Sequence, residues 1–192
     1  MDYIRSRRII PIDLKNKELL NKVLELENKV FGEGFLKMEE LIRQIQLCQK
    51  DSNNNAICIM EDEKIIWFWI CFLWGNWDRS EIEIDAKFEN LQTISYLKTL
   101  IIDPDLQWRG KWKYILDILL QNAKKSWDKQ VLLHTWVESP NNSSRRFFEK
   151  HGANIVKTYH KKWYQDSIDN GWICTRCWNP CECSSVEMII DL

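Results

Sequence analysis

The chain has 192 residues, with 27 Lys+Arg against 28 Asp+Glu and 45% hydrophobic residues. That length suits one domain with its own core, or at most one domain with a small appendage, and the near-zero net charge argues against nucleic acid as the main partner, because phosphate-driven binding needs a marked basic excess. The opening stretch MDYIRSRRIIPIDL has no apolar h-region, and the most apolar run, IIWFWICFLW (65–74), is about half of what a helix needs to cross a bilayer, so neither a secretory signal nor a membrane span is expected. A cytoplasmic location with reduced cysteines is the matching expectation.

In chain order, RRIIPIDL (7–14) predicts a first strand. KELLNKVLELENKVF (17–31) carries Leu19, Leu20, Val23, Leu24, Leu26 and Val30 at helical spacing, and Gly32 and Gly34 break it. FLKMEELIRQIQLCQK (35–50) resumes the helical period through Leu41, Ile42, Ile45 and Leu47. A DSNNN loop (51–55) leads to AICIMEDEKIIWFWICFLW (56–74), a hairpin turning at EDEK, whose second arm is apolar on both faces like a central strand covered on both sides. Residues 75–92 are polar and acidic and read as either an extended excursion or a short strand with a loop. SYLKTLIID (95–103) predicts a strand, KWKYILDILLQNAKKS (111–126) a helix, and VLLHTWVE (131–138) a strand. SPNNSSRRFFEKHG (139–152) predicts a helix with Ser139 as cap, Pro140 in its first turn and Gly152 as its stop. Residues 153–164 and 185–192 predict the last two strands. The order is that of a single α/β domain over 1–192: a mixed central β-sheet flanked by helices, with a Cys-rich insertion at 171–184 in the C-terminal hairpin.

The segment DPDLQWRGKWKY (103–114) sits at a strand-to-helix turn. Helix starts expose unpaired N–H groups, and with the helix dipole these favour an anion. Gly110 permits close backbone approach, and Arg109, Lys111 and Lys113 add positive charge. On these residues the turn is either a phosphate-binding turn or a basic surface turn.

DPDLQWRGKW matches the spacing P-x-x-[Q/R]-x-x-G-x-[G/A], with Pro104, Gln107 and Gly110 in register, and NNSSRRFFEKHGA matches N-x-x-A-x-x-x-Y-E-K-x-G-F through Asn141, Glu149, Lys150 and Gly152. Two such motifs with a strand between them resemble the GCN5-related N-acetyltransferase (GNAT) family, over nearly the whole chain. The resemblance implies an acyl-CoA co-substrate, acetyl-CoA or a longer acyl-CoA, and an amine acceptor that attacks the thioester directly. Backbone groups of Leu100, Ile101 and Ile102 would pair with the pantetheine and the thioester carbonyl. The turn Gln107, Trp108, Arg109, Gly110, Lys111, Trp112 and Lys113 would hold the pyrophosphate, and Asn141, Ser144 and Phe148 would contact the pantetheine arm.

Three positions depart from that pattern. Trp112 stands where the family has Gly or Ala, so it either flanks the ligand with Trp108 or packs under the helix. Phe148 stands where many members carry a Tyr general acid, which leaves water, Tyr159 or Tyr164 for that task, or a chain that binds acyl-CoA without turnover. Where some members place a glutamate base near the start of the strand, this chain has Tyr96. The candidate base is then Glu138 at the end of the neighbouring strand, with Glu81, Glu83 and Asp85 in the acidic excursion as others; that excursion either draws a cationic amine or is a solvated face.

The chain has 11 tryptophans. The Trp-rich strands leave room for an apolar acyl pocket, and the aromatic content is compatible with a homodimer. Finally, CTRCWNPCEC (174–183) spaces Cys174, Cys177, Cys181 and Cys183 more tightly than paired zinc knuckles. The four thiols are either a structural zinc site or free or redox-active; on spacing alone no metal is assigned.

Overall fold

The computed structural model describes residues 7–50, 53–77, 82–85, 93–106 and 112–192. Within them the strands are β1 (Arg7–Pro11), β2 (Gln49–Lys50), β3 (Asn53–Asn54), β4 (Ala56–Glu61), β5 (Lys64–Phe72), β6 (Ile94–Ile102), β7 (Gln130–Trp136), β8 (Asn154–Tyr159) and β9 (Ser185–Asp191). The helices are α1 (Lys17–Phe31), α2 (Met38–Leu47), α3 (Trp112–Lys125), α4 (Ser143–Lys150) and α5 (Tyr164–Asn170). β2 and β3 make a two-stranded ladder of their own, and the other seven form one sheet in the order β1-β4-β5-β6-β7-β9-β8. β6 and β7 run parallel while the remaining neighbours are antiparallel, so the sheet is mixed, as expected.

Alternation along β5 sorts the core into two layers. Phe68, Ile70 and Phe72 face α1 and α2, which bring Leu19, Leu20, Val23, Leu41 and Ile45. Trp67, Trp69 and Cys71 face the other way, onto Ile115, Leu116, Leu119 and Ala123 of α3. All of β5 beyond Lys64 is buried, which is what a run apolar on both faces requires. Its hairpin to β4 turns at Asp62 and Glu63, both at positive φ (48° and 62°), the conformation that matches the twist of a tight hairpin.

The largest difference from the sequence reading lies after β8. Residues 153–164 do not form one strand: β8 stops at Tyr159, Lys161 takes a left-handed φ of 51°, and α5 follows. α5 has few apolar positions, so no hydrophobic period marks it; it is held by Gln165–Asp169 and Asp166–Asn170 side-chain bonds one turn apart and stops at left-handed Gly171. α4 also starts later than the 139–152 reading. Asn141 and Asn142 are left-handed (φ 56° and 51°), and only then does the helix run, its start tied down by Ser144 N–H donating to Ser139 Oγ at 3.2 Å. Among the described residues no helix is long and apolar enough to cross a membrane.

Candidate functional site

The site begins with a mismatch between two parallel strands. β6 and β7 pair only from Ile94↔Gln130 to Leu97↔Leu133. Beyond that point each continues, β6 to Ile102 and β7 to Trp136, without a shared register, and the strands part. On its other side β6 stays bonded to β5, but with a register shift: Ile70 faces Thr99 and Cys71 faces Leu97, so Lys98 is an extra, bulged residue. The bulge inverts the alternation. Ile94 and Tyr96 join the α1/α2 layer before it, and Ile101, at the opposite parity, joins the same layer after it. A bulge bends the strand and increases its twist, which is a direct cause for its leaving β7.

The gap opens into a cavity of about 630 Å³, lined along its floor by Tyr96–Ile102 and Leu133–Trp136. At its vertex lies a buried polar chain. The Tyr96 hydroxyl and His134 Nδ1 are 3.0 Å apart, His134 Nε2 is 3.9 Å from Glu187 Oε2, and that same oxygen accepts the Tyr159 hydroxyl at 2.6 Å and Asp85 N–H at 2.8 Å. Glu187 is fully buried. Burial pushes the His134 imidazole down to about 3, helped by the Lys162 and Lys98 ammoniums, so the ring is neutral near pH 7. Burial also pushes the Tyr96 phenol up, with Glu187 and Tyr159 adding to it, so its hydroxyl keeps its proton. With His134 protonated at Nε2, towards Glu187, Nδ1 accepts the Tyr96 hydroxyl proton. His134 and Glu187 are directly opposite across β7 and β9, and Tyr96 lies two positions along in the parallel register from β7. That is a relation between strands, with no mark in any one segment of sequence.

The residues singled out from sequence are placed as follows. Leu100, Ile101 and Ile102 line the floor, with Tyr96. Ser144 and Phe148 line the side made by α4; Ser144 Oγ donates to Trp136 O at 3.0 Å, and Phe148 is buried. Asn141 is exposed in the turn before α4. Glu138 is held away from the floor: its Oε2 accepts Ser184 N–H at 2.9 Å, tying the end of β7 to the start of β9. Lys113 forms an ion pair with Asp117 one turn on, at 2.7 Å. Gln107, Trp108, Arg109, Gly110 and Lys111 lie outside the described residues, as does Glu81; Trp112 begins α3. Glu83 lines the cavity and is paired with Lys162, while Asp85 is paired with Lys157 at 3.0 Å. Tyr164 stands in the first turn of α5. Of the tryptophans in the two Trp-rich strands, Trp136 lines the cavity, whereas Trp67 and Trp69 belong to the α3 core layer.

The far wall comes from Phe31 at the end of α1, from Phe35 and Leu36 between α1 and α2, and from the segment after α5 through Trp172, Cys174, Cys181 and Cys183. Trp172 packs edge-on against Phe35, with ring centroids 5.0 Å apart. The Cys-rich segment therefore closes the cavity on the side opposite α4.

No protein-family model matches this chain, and no curated protein matches it in sequence. Its fold does match solved structures. A chain of the NatC complex bound to Gag peptide and CoA superposes with a TM-score of 0.70 at 13% identity, covering 97% of this chain and 99% of that one. The ribosomal-protein-S18-alanine N-acetyltransferase from Escherichia coli gives 0.65 at 12% identity, covering 97% of this chain and 94% of the other. A GNAT family acetyltransferase from Elizabethkingia anophelis with acetyl-CoA bound gives 0.62 at 14% identity, over 97% and 98%. The chain has the GNAT fold.

Proposed function

We propose that this chain is an N-acyltransferase that moves an acetyl or longer acyl group from acyl-CoA to a primary amine. The observation that carries this reading is the parting of β6 from β7 at Leu97↔Leu133, next to the Lys98 bulge, opening onto a cavity of about 630 Å³. A parted strand offers backbone N–H and C=O groups to an extended ligand, the same bonds a neighbouring strand would have made. Pantetheine, with its two amides, fits such an edge. Of the neighbours of the same fold, the NatC complex is bound to CoA and the Elizabethkingia anophelis acetyltransferase to acetyl-CoA, which agrees with this choice of donor.

In this reading the thioester lies at the vertex, beside Tyr96. The amine nitrogen attacks the thioester carbon, the carbonyl oxygen takes the charge against β6 backbone donors, and the carbon–sulfur bond then breaks. The Tyr96 oxygen accepts a hydrogen bond from the amine N–H and turns the nitrogen lone pair to the thioester, and the proton then leaves to water; His134, pushed down to about 3, stays neutral and holds the Tyr96 hydroxyl in place. Glu138 is the second candidate for the proton, from the end of β7. The departing thiolate is a weak base and takes its proton from water, consistent with Phe148 at the α4 wall.

Phe148 also supports a second reading, in which the chain binds acyl-CoA without turning it over. Two measurements separate these. If the cleft takes acyl-CoA, acetyl-CoA raises the unfolding midpoint in a concentration-dependent way, and a longer acyl-CoA run beside it reports the preferred chain length. If the chain is an enzyme, CoA release then depends on an added amine, and mass spectrometry finds the acylated product among a polyamine, a lysine peptide and a peptide with a free N-terminus. A midpoint shift without product favours the binding module. No shift with any donor removes both readings.

A further inference from the structure

The cavity's far wall holds a feature that acyl transfer does not use. Cys174, Cys177, Cys181 and Cys183 bring their Sγ atoms together so that all lie within 4.8 Å of one another. The closest pairs are Cys177–Cys183 at 3.5 Å, Cys174–Cys183 at 3.7 Å and Cys177–Cys181 at 3.7 Å. Four sulfurs about 2.3 Å from a central ion, at tetrahedral angles, stand roughly 3.8 Å apart, so this is the spacing of a mononuclear tetrathiolate site. A multi-iron cluster would spread its thiolates around a larger core. All four are free cysteines, and three are buried with Cys177 partly open.

The backbone is arranged around the sulfurs. Cys174 and Trp178 exchange N–H···O bonds of 3.1 Å in both directions, folding 174–178 into a tight hairpin that brings Cys177 back to Cys174. Arg176 N–H points at Cys174 Sγ (3.4 Å) and Glu182 N–H at Cys177 Sγ (3.1 Å), donors that offset negative charge on thiolates. The remaining contacts of this loop are with the rest of the molecule. Ile173 N–H donates to Glu33 O in the α1–α2 connection, and Thr175 N–H to Phe31 O and Thr175 Oγ to Val30 O in the last turn of α1. The other three cysteines are different in kind: Cys48, Cys58 and Cys71 are dispersed in the two core layers as small apolar groups.

We propose that Cys174, Cys177, Cys181 and Cys183 bind one zinc ion as a structural tetrathiolate that fixes residues 172–184 against the α1–α2 connection and so builds the cavity's far wall. Tight coordination converts four thiols, which would otherwise leave a polar loop with little core of its own, into a cross-linked unit. The proposal does not depend on the acyl-transfer reading, and its test uses no turnover.

The full-length protein, purified without added metal or chelator, is analysed for metals and for free thiols. One zinc per chain is expected, lost when Cys181→Ser or Cys183→Ser is introduced. Cobalt(II) is then exchanged into the wild-type protein. A tetrathiolate gives strong sulfur-to-cobalt charge-transfer absorption with intense visible bands of tetrahedral cobalt, and this result stands even if the serine variants fail to fold. Stripping zinc with a strong chelator should lower the unfolding midpoint by roughly 5 °C or more, restored by zinc and not by magnesium. The proposal is overturned by a metal-free protein without the cobalt spectrum, by disulfides among the four cysteines, or by stoichiometric iron in their place.

Discussion

At the scale of single residues the site turns on Tyr96. Its place near the start of a strand, where the family resemblance has a glutamate, could be read from the sequence. Its partner could not. His134 becomes meaningful only when β6, β7 and β9 are aligned and Glu187 is found opposite it. Glu138 shows the converse: a carboxylate at a strand end looks free in sequence, yet its oxygen is engaged by Ser184 N–H. Two substitutions weigh these candidates. Tyr96→Phe keeps the ring and removes the oxygen that orients the amine, so kcat for amine acylation should fall by about 10²-fold while the acyl-CoA midpoint shift is kept. Glu138→Gln, which can still accept the Ser184 N–H, should change kcat by less than about threefold if the amine is oriented by Tyr96 and loses its proton to water. The reverse ranking would transfer the role to Glu138. Because the Tyr96 phenol is pushed up and His134 is pushed down to about 3, neither changes charge between about pH 5 and 9. The pH–rate profile in that window should therefore follow the acceptor amine alone.

At the scale of elements, what was legible was what periodicity can carry: α1 has the predicted bounds, and β4, β5, β6, α3 and β7 fall within a few residues of theirs. Bulges and polar helices escape such reasoning, since neither leaves a hydrophobic period. The docking of the Cys-rich segment on the α1–α2 connection is another contact that no local pattern announces, although Gly32 is its trace. Gly32 has φ 137°, and a Cβ there would stand 1.7 Å from the Ile173 carbonyl oxygen. That is a backbone atom, so no side-chain rotation relieves it, and the conformation itself is costly for any L residue. Gly32→Ala should push 172–175 off α1 and cost on the order of 2 kcal/mol. In a chain of this size that is a midpoint fall of roughly 4–8 °C. Gly171→Ala is the comparison: it shares positive φ (70°) but has no atom within 4 Å of a Cβ, so strain acts there without collision and the loss should be smaller. Equal losses would mean that backbone strain, and not the contact with Ile173, is what Gly32 relieves.

At the scale of the whole molecule, composition and element order fixed the fold class but not how the sheet is covered, and one consequence of that covering is a pH-dependent stability. α1 lies over the face of β6 that carries Thr99, and this buries Glu27 to 1% exposure. Glu27 Oε1 accepts the Thr99 hydroxyl at 3.2 Å, and among the described residues Oε2 has no hydrogen-bond partner. Burial raises its pKa from 4.5 to about 7; Lys98 and the Thr99 bond oppose the rise, and Glu40 adds slightly to it. Below about pH 4 the carboxyl is protonated in both the folded and the unfolded chain and contributes nothing to the difference. Between about pH 4.5 and 7 the unfolded chain releases the proton and the folded chain keeps it, so the unfolded state binds fewer protons and stability falls as pH rises. Above about pH 7 the loss is complete, on the order of 3 kcal/mol. Wild-type midpoints should therefore drop between pH 5 and 7.5 by several degrees through this group. Glu27→Gln, neutral at every pH, should remove that part of the slope and be more stable than wild type at pH 8, with the two curves converging towards pH 5. Parallel curves across the range would show that Glu27 ionises as readily in the folded chain as in the unfolded one, and that α1 does not seal this face of β6 against water.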